Sequence, residues 1–318
     1  MAIISPKYKL SVRLMTYMHE SFVNQAMDGI MMQKTDFKIE VVVGDDFSTD
    51  RTLEIIKSYK NTESIDVKIL KREKGDEYWR KRQKLGRLYN FTNILENCTG
   101  KYIALLDGDD YWTDPLKLQK QLDFLEGNEE YSFCFTRFQT KDERTNTFLD
   151  DENSKHFDKN QSFIDYDFER FYKGWHIGTQ TVMFINTPET KNFYKQYQLP
   201  RDMHLYVELL KQGKGACLKD FCAVYRLTGK GVYTSTSKNQ KIRDGSKVYE
   251  DIYKSNKDII FIELKYRKFF KSYLRMLASN KNILGYVVQM FKSFKITKKV
   301  SYLKEDSIFL FKKFYSKL

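Results

Sequence analysis

The acidic residues best suited to chemistry follow one apolar run. Residues 102–106 (YIALL) are typical of a buried strand, and Asp107, Asp109 and Asp110 come directly after it. Three carboxylates in one turn repel one another and lose solvation, so the arrangement is costly unless they share a cation. Mg²⁺ and Mn²⁺ take oxygen ligands and often bind phosphates at the same time. The turn therefore predicts a divalent metal site.

The same turn also has a structural explanation. Gly108 would take a left-handed conformation, and a helix would begin near Thr113, with Thr113 as its N-cap and Pro115 in its first turn. This explanation accounts for the start of a helix but not for the three acids that precede it. We therefore favour the metal site.

A second acidic pair, Asp45 and Asp46, follows the apolar strand predicted at residues 39–43. A carboxylate at this position can accept a hydrogen bond from the imide N–H of a base such as uracil. Capping of the following helix is the alternative, and it suits Asp50 better than Asp46. One acidic pair alone is a weak signal, but it gains weight if both acidic turns lie at one edge of a sheet.

Apolar periodicity predicts the elements that would bring these turns together. Strands are expected at residues 10–15, 39–43, 67–70 and 102–106, with helices at 21–32, 49–59 and 86–97 between them. This alternation predicts an α/β fold, with a mostly parallel Rossmann-like sheet flanked by helices and ligands bound beyond the carboxyl ends of its strands. Later in the chain we expect strands at 133–138, 181–185 and 217–225, a helix at 201–212, and a loop at 141–161.

Charge divides the chain into two parts. It has 318 residues, with 55 Lys and Arg against 42 Asp and Glu, a net charge of +13. Residues 238–318 alone contain 20 basic and 7 acidic residues, so the first 237 residues are formally neutral. We therefore expect a catalytic domain at residues 1–237 and a basic helical C-terminal region at residues 238–318.

Cysteine usage and the N-terminus predict a cytoplasmic protein. The four cysteines form no CxxC pair and no zinc-like spacing, which favours a reducing compartment: Cys98, Cys134, Cys217 and Cys222. The first residues lack the form of a secretory signal, and no apolar stretch is long enough to span a bilayer. We expect a soluble protein, or one attached peripherally to the inner face of a membrane.

Four segments, in this order, resemble glycosyltransferase family 2, the inverting sugar-nucleotide-dependent enzymes of the GT-A fold. They are SVRLMTYMHESFVNQAMDGIMMQ, EVVVGDDFSTDRT, GKYIALLDGDDYWTDPLKLQKQLDFLE and RDMHLYVELLKQGKGACLKDFCAVYRLTGKGVY. The resemblance covers roughly residues 9–234, and its middle part matches weakly. It implies a GT-A domain, which the basic tail would follow as a C-terminal helical appendage.

The resemblance also implies the nucleotide site. Thr16 and Tyr17 would line the nucleotide pocket, and Asp46 would contact the base. The first motif departs from the family pattern at Met18, where Asn is common. Further candidate contacts to the nucleotide or its phosphates are Lys71, Arg72, Arg87 and Asn90, although surface Lys and Arg are common for other reasons.

In the same way, the resemblance implies the reacting groups. Asp107 would face the ribose or diphosphate, Asp109 would ligate Mn²⁺ or Mg²⁺, and Asp110 would support them. Asp202 would be the catalytic base that takes the proton of the acceptor hydroxyl in a single in-line displacement. A helix N-terminal charge is the structural alternative for Asp202, and without the motif order it would be preferred.

The resemblance implies acceptor contacts at Trp175 and His176, which lie where relatives bind acceptor. An aromatic face also suits the apolar side of a sugar ring. A core tryptophan and a satisfied polar histidine are the structural alternatives. The sugar acceptor would be a hydroxyl group in surface polysaccharide, glycan or glycolipid synthesis, and the donor a nucleotide sugar, with UDP favoured.

The basic tail mixes Lys and Arg with Phe, Tyr, Ile and Leu, as in SIFLFKKFYSKL. It could form amphipathic helices on an anionic membrane, or equally a helical appendage packed on the catalytic domain or on a second copy in a homo-oligomer. Nucleic-acid binding would leave both acidic turns unexplained. The alternatives to a glycosyltransferase are a nucleotidyltransferase and an inactive sugar-nucleotide-binding protein.

Overall fold

The computed structural model describes residues 7–315, except 87, 152, 159, 199 and 230–235. The chain divides into two compact units, one of residues 1–195 and 200–231 and the other of residues 196–199 and 232–318. Within the described residues, no helix combines the length and apolarity needed to span a membrane.

The first unit contains a sheet flanked by helices. Its strands are β1 (Leu10–Thr16), β2 (Ile39–Asp45), β3 (Ile65–Ile69), β4 (Tyr102–Asp107), β5 (Tyr111–Trp112), β6 (Tyr131–Asp142), β7 (Thr147–Leu149), β8 (Phe163–Tyr166), β9 (Met183–Ile185) and β10 (Lys214–Leu227). Its α-helices are α1 (Val23–Met31), α2 (Thr52–Ser58), α3 (Glu77–Leu85), α4 (Leu88–Asn97), α5 (Lys117–Gly127), α6 (Phe168–Lys173), α7 (Pro188–Asn192) and α8 (Asp202–Leu210).

The strand order across the sheet is β3-β2-β1-β4-β9-β6-β10-β5, with β7 paired to β6 and β8 to β10. Strands β3, β2, β1 and β4 are parallel, β9 runs antiparallel to both β4 and β6, and β10 is parallel to β6. The α/β class expected from the sequence is confirmed. The parallel part contains the strands that precede the two acidic turns.

Burial explains why the parallel strands are nearly continuous apolar runs. Every residue of β2 is buried, and β1 is buried except at one position, because helices cover both faces of the sheet. Side chains that alternate along these strands fill a core together with α1 and α5. The packing fixes the register of the strands, so their carboxyl ends lie at one level.

Several predicted boundaries were wrong. The helix expected from Thr113 begins at Lys117, because β5 pairs with β10 and the Thr113 N–H donates to the Cys222 carbonyl. The predicted short strand at 217–225 is the 14-residue β10, and the expected loop at 141–161 contains β7. Helix α3 was not predicted as an element of its own.

In the part that the structure describes, the second unit contains four α-helices: α9 (Lys238–Ser255), α10 (Ile260–Ser279), α11 (Ile283–Thr297) and α12 (Val300–Tyr315). The C-terminal helices expected from the sequence are therefore present. A buried ion pair joins α10 to α12, in which Arg267 donates to both oxygens of Asp306 at 3.0 and 2.9 Å. Tyr253 of α9 stacks on Tyr266 of α10, with ring centroids 5.2 Å apart.

Candidate active site

The two acidic turns lie at the same edge of the sheet. In the parallel register Thr16 of β1 is opposite Asp45 of β2, and Met15 is opposite Asp107 of β4. Strands β2 and β4 are the two neighbours of β1, so Asp45 and Asp107 are separated by two strand spacings, roughly 10 Å. The convergence expected from the strand pattern is therefore present.

In the first turn, hydrogen bonds from the chain hold Asp45. Its carboxylate accepts from the Thr16 hydroxyl at 2.9 Å, from the Ser48 hydroxyl at 2.6 Å and from the Ser48 N–H at 2.8 Å. Thr16 is fully buried and bonds Asp45, whereas Tyr17 is exposed. Thr16 and Asp45 thus fix the shape of the turn, and Tyr17 is free to meet a ligand.

Asp46 contacts α3, the helix that the sequence did not predict. The Arg82 guanidinium lies 2.9 Å from the Asp46 carboxylate, and the Tyr78 hydroxyl donates to it at 2.8 Å. Phe47, whose φ is +65°, packs against the Tyr78 ring with centroids 5.9 Å apart. The carboxylate expected to contact the base therefore already has two partners from α3.

Two predicted phosphate contacts have structural partners instead. Arg72 donates to the Asp45 carbonyl at 2.9 Å and to the Asn90 side chain at 2.6 Å, and it lies over the Tyr78 ring. Asn90 is buried and donates to the Gly44 carbonyl at 2.9 Å. Arg87 lies outside the described residues.

In the second turn, Asp107 pairs with a buried arginine. Arg13 of β1 is fully buried, donates to Asp107 at 2.7 Å and packs its guanidinium over the Phe91 ring at 4.5 Å. The Nε and Nη2 atoms of Arg13 have no hydrogen-bond partner among the described residues. An arginine inside the apolar strand LSVRLMT indicates a buried acidic partner, and this signal was missed in the sequence.

Gly108 is not left-handed, contrary to the structural explanation of this turn. A Cβ at Gly108 would approach Thr16 to 2.7 Å and the His19 Nδ1 atom to 2.8 Å, which is too close. The glycine is required because β1 and the segment after it pass directly against the turn.

Asp109 and Asp110 are short of positive charge. Burial raises the pKa of Asp109, while the nearby His19, at 3.9 Å, acts to lower it. Burial and the charge of Asp109 raise the pKa of Asp110 well above its ordinary value. The Arg226 backbone N–H donates to Asp110 at 2.8 Å, and the Arg226 side chain donates to the Asp109 carbonyl at 2.7 Å. His19 and Arg226 were not predicted.

These carboxylates fit a divalent cation. Their oxygens are the ligands that Mg²⁺ and Mn²⁺ prefer, and a bound cation would offset the burial and the repulsion that raise the pKa values of Asp109 and Asp110. No three His, Cys, Asp or Glu side chains in the described part of the chain are arranged to hold a metal by themselves. A cation at Asp109 would therefore need ligands from a substrate, and phosphate oxygens are suitable.

Asp202 is the first residue of α8, after its extended N-cap Arg201. Its carboxylate accepts from the Met203 N–H at 2.9 Å. Burial raises the pKa of Asp202, and the charge of Asp107 contributes in the same direction. A carboxylate with a raised pKa is a better proton acceptor once ionised, which suits a general base.

The two predicted acceptor residues, Trp175 and His176, have different surroundings. Trp175 stacks on His156, with ring centroids 4.6 Å apart, and packs edge-on against Tyr166. His176 packs edge-on against Phe138 at 4.9 Å and lines a cavity. His176 is therefore placed to meet a ligand in that cavity, whereas Trp175 packs among other rings.

Comparison with known proteins identifies the family. The model of glycosyl transferase family 2 matches residues 11–188. Rv1520 of Mycobacterium tuberculosis is 29% identical over 226 residues, which are 71% of this chain and 61% of Rv1520. TuaG of Bacillus subtilis, named as a teichuronic acid biosynthesis glycosyltransferase, is 31% identical over 209 residues, 64% of this chain and 73% of TuaG. The chain thus spans less than two thirds of the length of the mycobacterial relative.

Solved structures have the same fold. S. aureus TarS 1–349 in complex with UDP-GlcNAc superposes with a TM-score of 0.55 at 16% identity, over 96% of this chain and 81% of that chain. The mannosyltransferase PcManGT from Pyrobaculum calidifontis, in complex with GDP-Man and Mn²⁺, superposes with a TM-score of 0.53 at 14% identity, over 99% of this chain and 91% of that chain. The expected GT-A fold is confirmed, and the chain belongs to glycosyl transferase family 2.

Proposed function

We propose that this glycosyltransferase moves a sugar from a nucleoside diphosphate to an acceptor hydroxyl, with inversion and with the help of Mn²⁺ or Mg²⁺. The observation that carries the proposal is the convergence at one edge of the sheet of Asp45 and Asp107, which begin the two acidic turns. Asp46 would contact the base, Tyr17 would line the nucleotide pocket, and Asp107 would face the ribose or diphosphate. Asp109 would hold the cation, supported by Asp110.

Asp202 would act as the general base in a single displacement. The acceptor oxygen bonds to the anomeric carbon as its proton passes to Asp202, and the bond to the diphosphate breaks with its electron pair on the leaving oxygen. A divalent ion, when bound, supplies positive charge that stabilises the leaving diphosphate. Arg226 fixes the carboxylate turn through its contacts to Asp109 and Asp110.

The donor is proposed to be a UDP-sugar. Support comes from Asp46, whose carboxylate can accept from the N–H of uracil, and from the UDP-GlcNAc complex of TarS. The acceptor is proposed to belong to surface polysaccharide, glycan or glycolipid synthesis on the cytoplasmic side, which the teichuronic acid name of TuaG supports.

Thermal-shift screening of nucleotide sugars with and without Mn²⁺ tests donor binding, because a ligand that binds only the folded state raises Tm. We expect a UDP-sugar to raise Tm, and to raise it more with Mn²⁺. No shift by any nucleotide with metal present would contradict the proposal.

Asp202→Asn tests catalysis separately from binding. We expect transfer to fall at least a hundredfold, because general-base catalysis typically contributes about 10²–10⁴. The Tm shift by the donor should stay unchanged. Release of pyrophosphate in place of a nucleoside diphosphate would favour a nucleotidyltransferase. Donor binding without turnover in the unaltered chain would favour an inactive binder.

We also propose that residues 238–318 form a separate region that attaches peripherally to an anionic membrane. On α11, Leu284, Val288 and Phe291 are 77%, 54% and 50% exposed, and their spacing puts them on one face. Lys295 continues that face and is exposed. Apolar side chains followed by lysine on one helix face suit insertion among anionic headgroups.

Vesicle flotation with the full chain tests this attachment. We expect binding to phosphatidylglycerol vesicles that falls with salt and with Phe291→Glu, and no binding to phosphatidylcholine vesicles. Phe148→Glu is the matched control, since Phe148 is similarly exposed but lies on β7 of the first unit. Equal flotation of both variants, or none of the unaltered chain, would contradict membrane attachment.

A further inference from the structure

A cavity of about 230 Å³ lies at the carboxyl ends of β6 and β10. Phe138 and Thr140 of β6 and Tyr225 and Leu227 of β10 line it. In the parallel register Tyr225 is opposite Thr140, and residues two apart on a strand point to the same face. The floor of the cavity is therefore one face of the sheet. Its volume is below the roughly 300–1,000 Å³ of pockets for drug-sized ligands, so it suits one small unit.

Three rings shape the apolar part of the cavity. Phe138 packs edge-on against Tyr225 at 6.4 Å and against His176 at 4.9 Å. Rings at right angles leave a corner with an apolar wall. Such a wall suits the C–H face of a sugar ring or the carbon chain of a polyol.

The cavity adjoins the proposed reaction centre. Tyr225 directly precedes Arg226, whose N–H donates to Asp110. A ligand against Tyr225 would therefore lie next to the carboxylate turn that Arg226 contacts.

The acidic residues that line the cavity disfavour anions. Asp150 and Asp151 line it, whereas no Lys or Arg does among the described lining residues. Arg137 pairs with Asp151 at 2.7 Å, while Asp150 is exposed. A phosphate or carboxylate at this position would be repelled, but hydroxyl groups could donate to Asp150. The ligand that fits is uncharged and rich in hydroxyl groups.

We propose that this cavity is an acceptor subsite for one uncharged sugar or polyol unit, with Tyr225 and Phe138 as its apolar wall and Asp150 as a hydroxyl acceptor. This proposal rests on the proposed transferase function for its role in the reaction. It predicts that the unit next to the reactive hydroxyl carries no phosphate or carboxylate. TarS differs in this respect by its name, which is poly(ribitol-phosphate) beta-N-acetylglucosaminyltransferase.

Ligand-observed saturation-transfer NMR with the full chain, without nucleotide, tests the subsite. The probes are methyl glucopyranoside, methyl galactopyranoside and ribitol at millimolar concentration, against ribitol phosphate and methyl glucuronide. We expect an uncharged probe to bind and the charged probes not to bind. Asp150→Asn should weaken binding threefold or more, because a hydrogen bond to a charged carboxylate is replaced by a weaker one to a neutral amide oxygen. Asp158→Asn removes an equally exposed acid outside the cavity and should leave binding unchanged.

Asp150→Lys sharpens the test, since reversing the charge should bring ribitol phosphate into the cavity. The proposal is overturned if no uncharged probe binds, if the native chain prefers a charged probe, or if Asp150→Asn and Asp158→Asn behave alike. Because nucleotide is absent, these outcomes are independent of the donor screen. If only the thermal-shift screen shows no donor binding, the result counts against the transferase function. If only the NMR experiment shows no binding of an uncharged probe, the result counts against the subsite.

Discussion

The two acidic turns at the sheet edge look alike in sequence but differ in what their carboxylates contact. Asp45 and Asp46 accept hydrogen bonds from Thr16, Ser48, Tyr78 and Arg82, so the chain itself satisfies them; Asp45 alone accepts three. In the second turn, Arg13 neutralises Asp107, but no Lys or Arg of the described residues pairs with the carboxylates of Asp109 and Asp110.

The two turns are therefore two different kinds of carboxylate cluster. The first turn is a completed network whose loss would destabilise the fold. The second turn contains buried charge that the chain does not balance, as the raised pKa values of Asp109 and Asp110 indicate. A positively charged ligand should therefore bind most favourably at the second turn. Substitutions in the first turn should lower stability, whereas substitutions in the second turn should lower activity without lowering stability.

The largest expected effect is on activity, from Asp109→Asn. We expect kcat/KM to fall roughly a thousandfold, about 4 kcal/mol, if Asp109 holds the cation that stabilises the leaving group. Binding of Mn²⁺, followed by electron paramagnetic resonance in the presence of donor, should weaken in parallel. Tm should stay equal or rise, because a buried charge in a like-charged turn has been removed.

A clear loss of stability in Asp109→Asn would show that the second turn is also a structural network. Unchanged Mn²⁺ binding would move the cation away from Asp109. Either result would remove the contrast between the two turns.

The next effect is on stability, from Asp45→Ala. The buried Thr16 hydroxyl and the Ser48 N–H would lose their acceptor, so we expect a loss of about 2–3 kcal/mol in the free energy of unfolding. Denaturant unfolding measures this change. Glu63→Ala, an exposed acid before β3, is the control and should change stability by less than about 0.5 kcal/mol. Equal stability of both variants would mean that hydrogen bonding does not distinguish Asp45 from a surface acid.

The sequence could predict where the acids lie but not what they contact. Apolar runs give the strands, and parallel pairing brings their ends to one edge, so the convergence of Asp45 and Asp107 followed from local pattern. The partners of Asp46 come from α3, a helix with one buried residue, Tyr78. Five of the nine residues of α3 are charged, so the helix has few apolar positions by which to recognise it, although Asp76 as its N-cap was visible in the sequence.

Other errors also arose from long-range contacts. The predicted start of α5 was wrong because β5 pairs with β10, more than 100 residues away, and no local motif indicates that pairing.

Met18 departs from the common Asn, and its φ of +56° lies in the left-handed region that Asn tolerates better. The Met18 N–H donates to Ser48 at 2.8 Å, which holds this conformation in place.

The smallest effect concerns Arg82, which tests whether the first turn is closed to ligands. If Asp46 is to accept from a base, the Arg82 guanidinium must give way or share the carboxylate. Arg82 is partly exposed, and such ion pairs are worth about 0–1 kcal/mol. We therefore expect Arg82→Ala to tighten the binding of uridine up to about fivefold, as measured by isothermal titration calorimetry. Uridine is the chosen probe because it lacks phosphates, so a lost contact between Arg82 and a diphosphate cannot mask the change.

Arg80→Ala provides the matched control, because Arg80 is exposed on the same helix and donates to the Asp76 carbonyl, away from Asp46. It should leave uridine binding unchanged. Weaker uridine binding in Arg82→Ala alone would mean that Arg82 orients Asp46 for the base, since a carboxylate held only by Tyr78 could turn away. The first turn would then be a preorganised binding site, and the two turns would differ only in the ligand group that each one awaits.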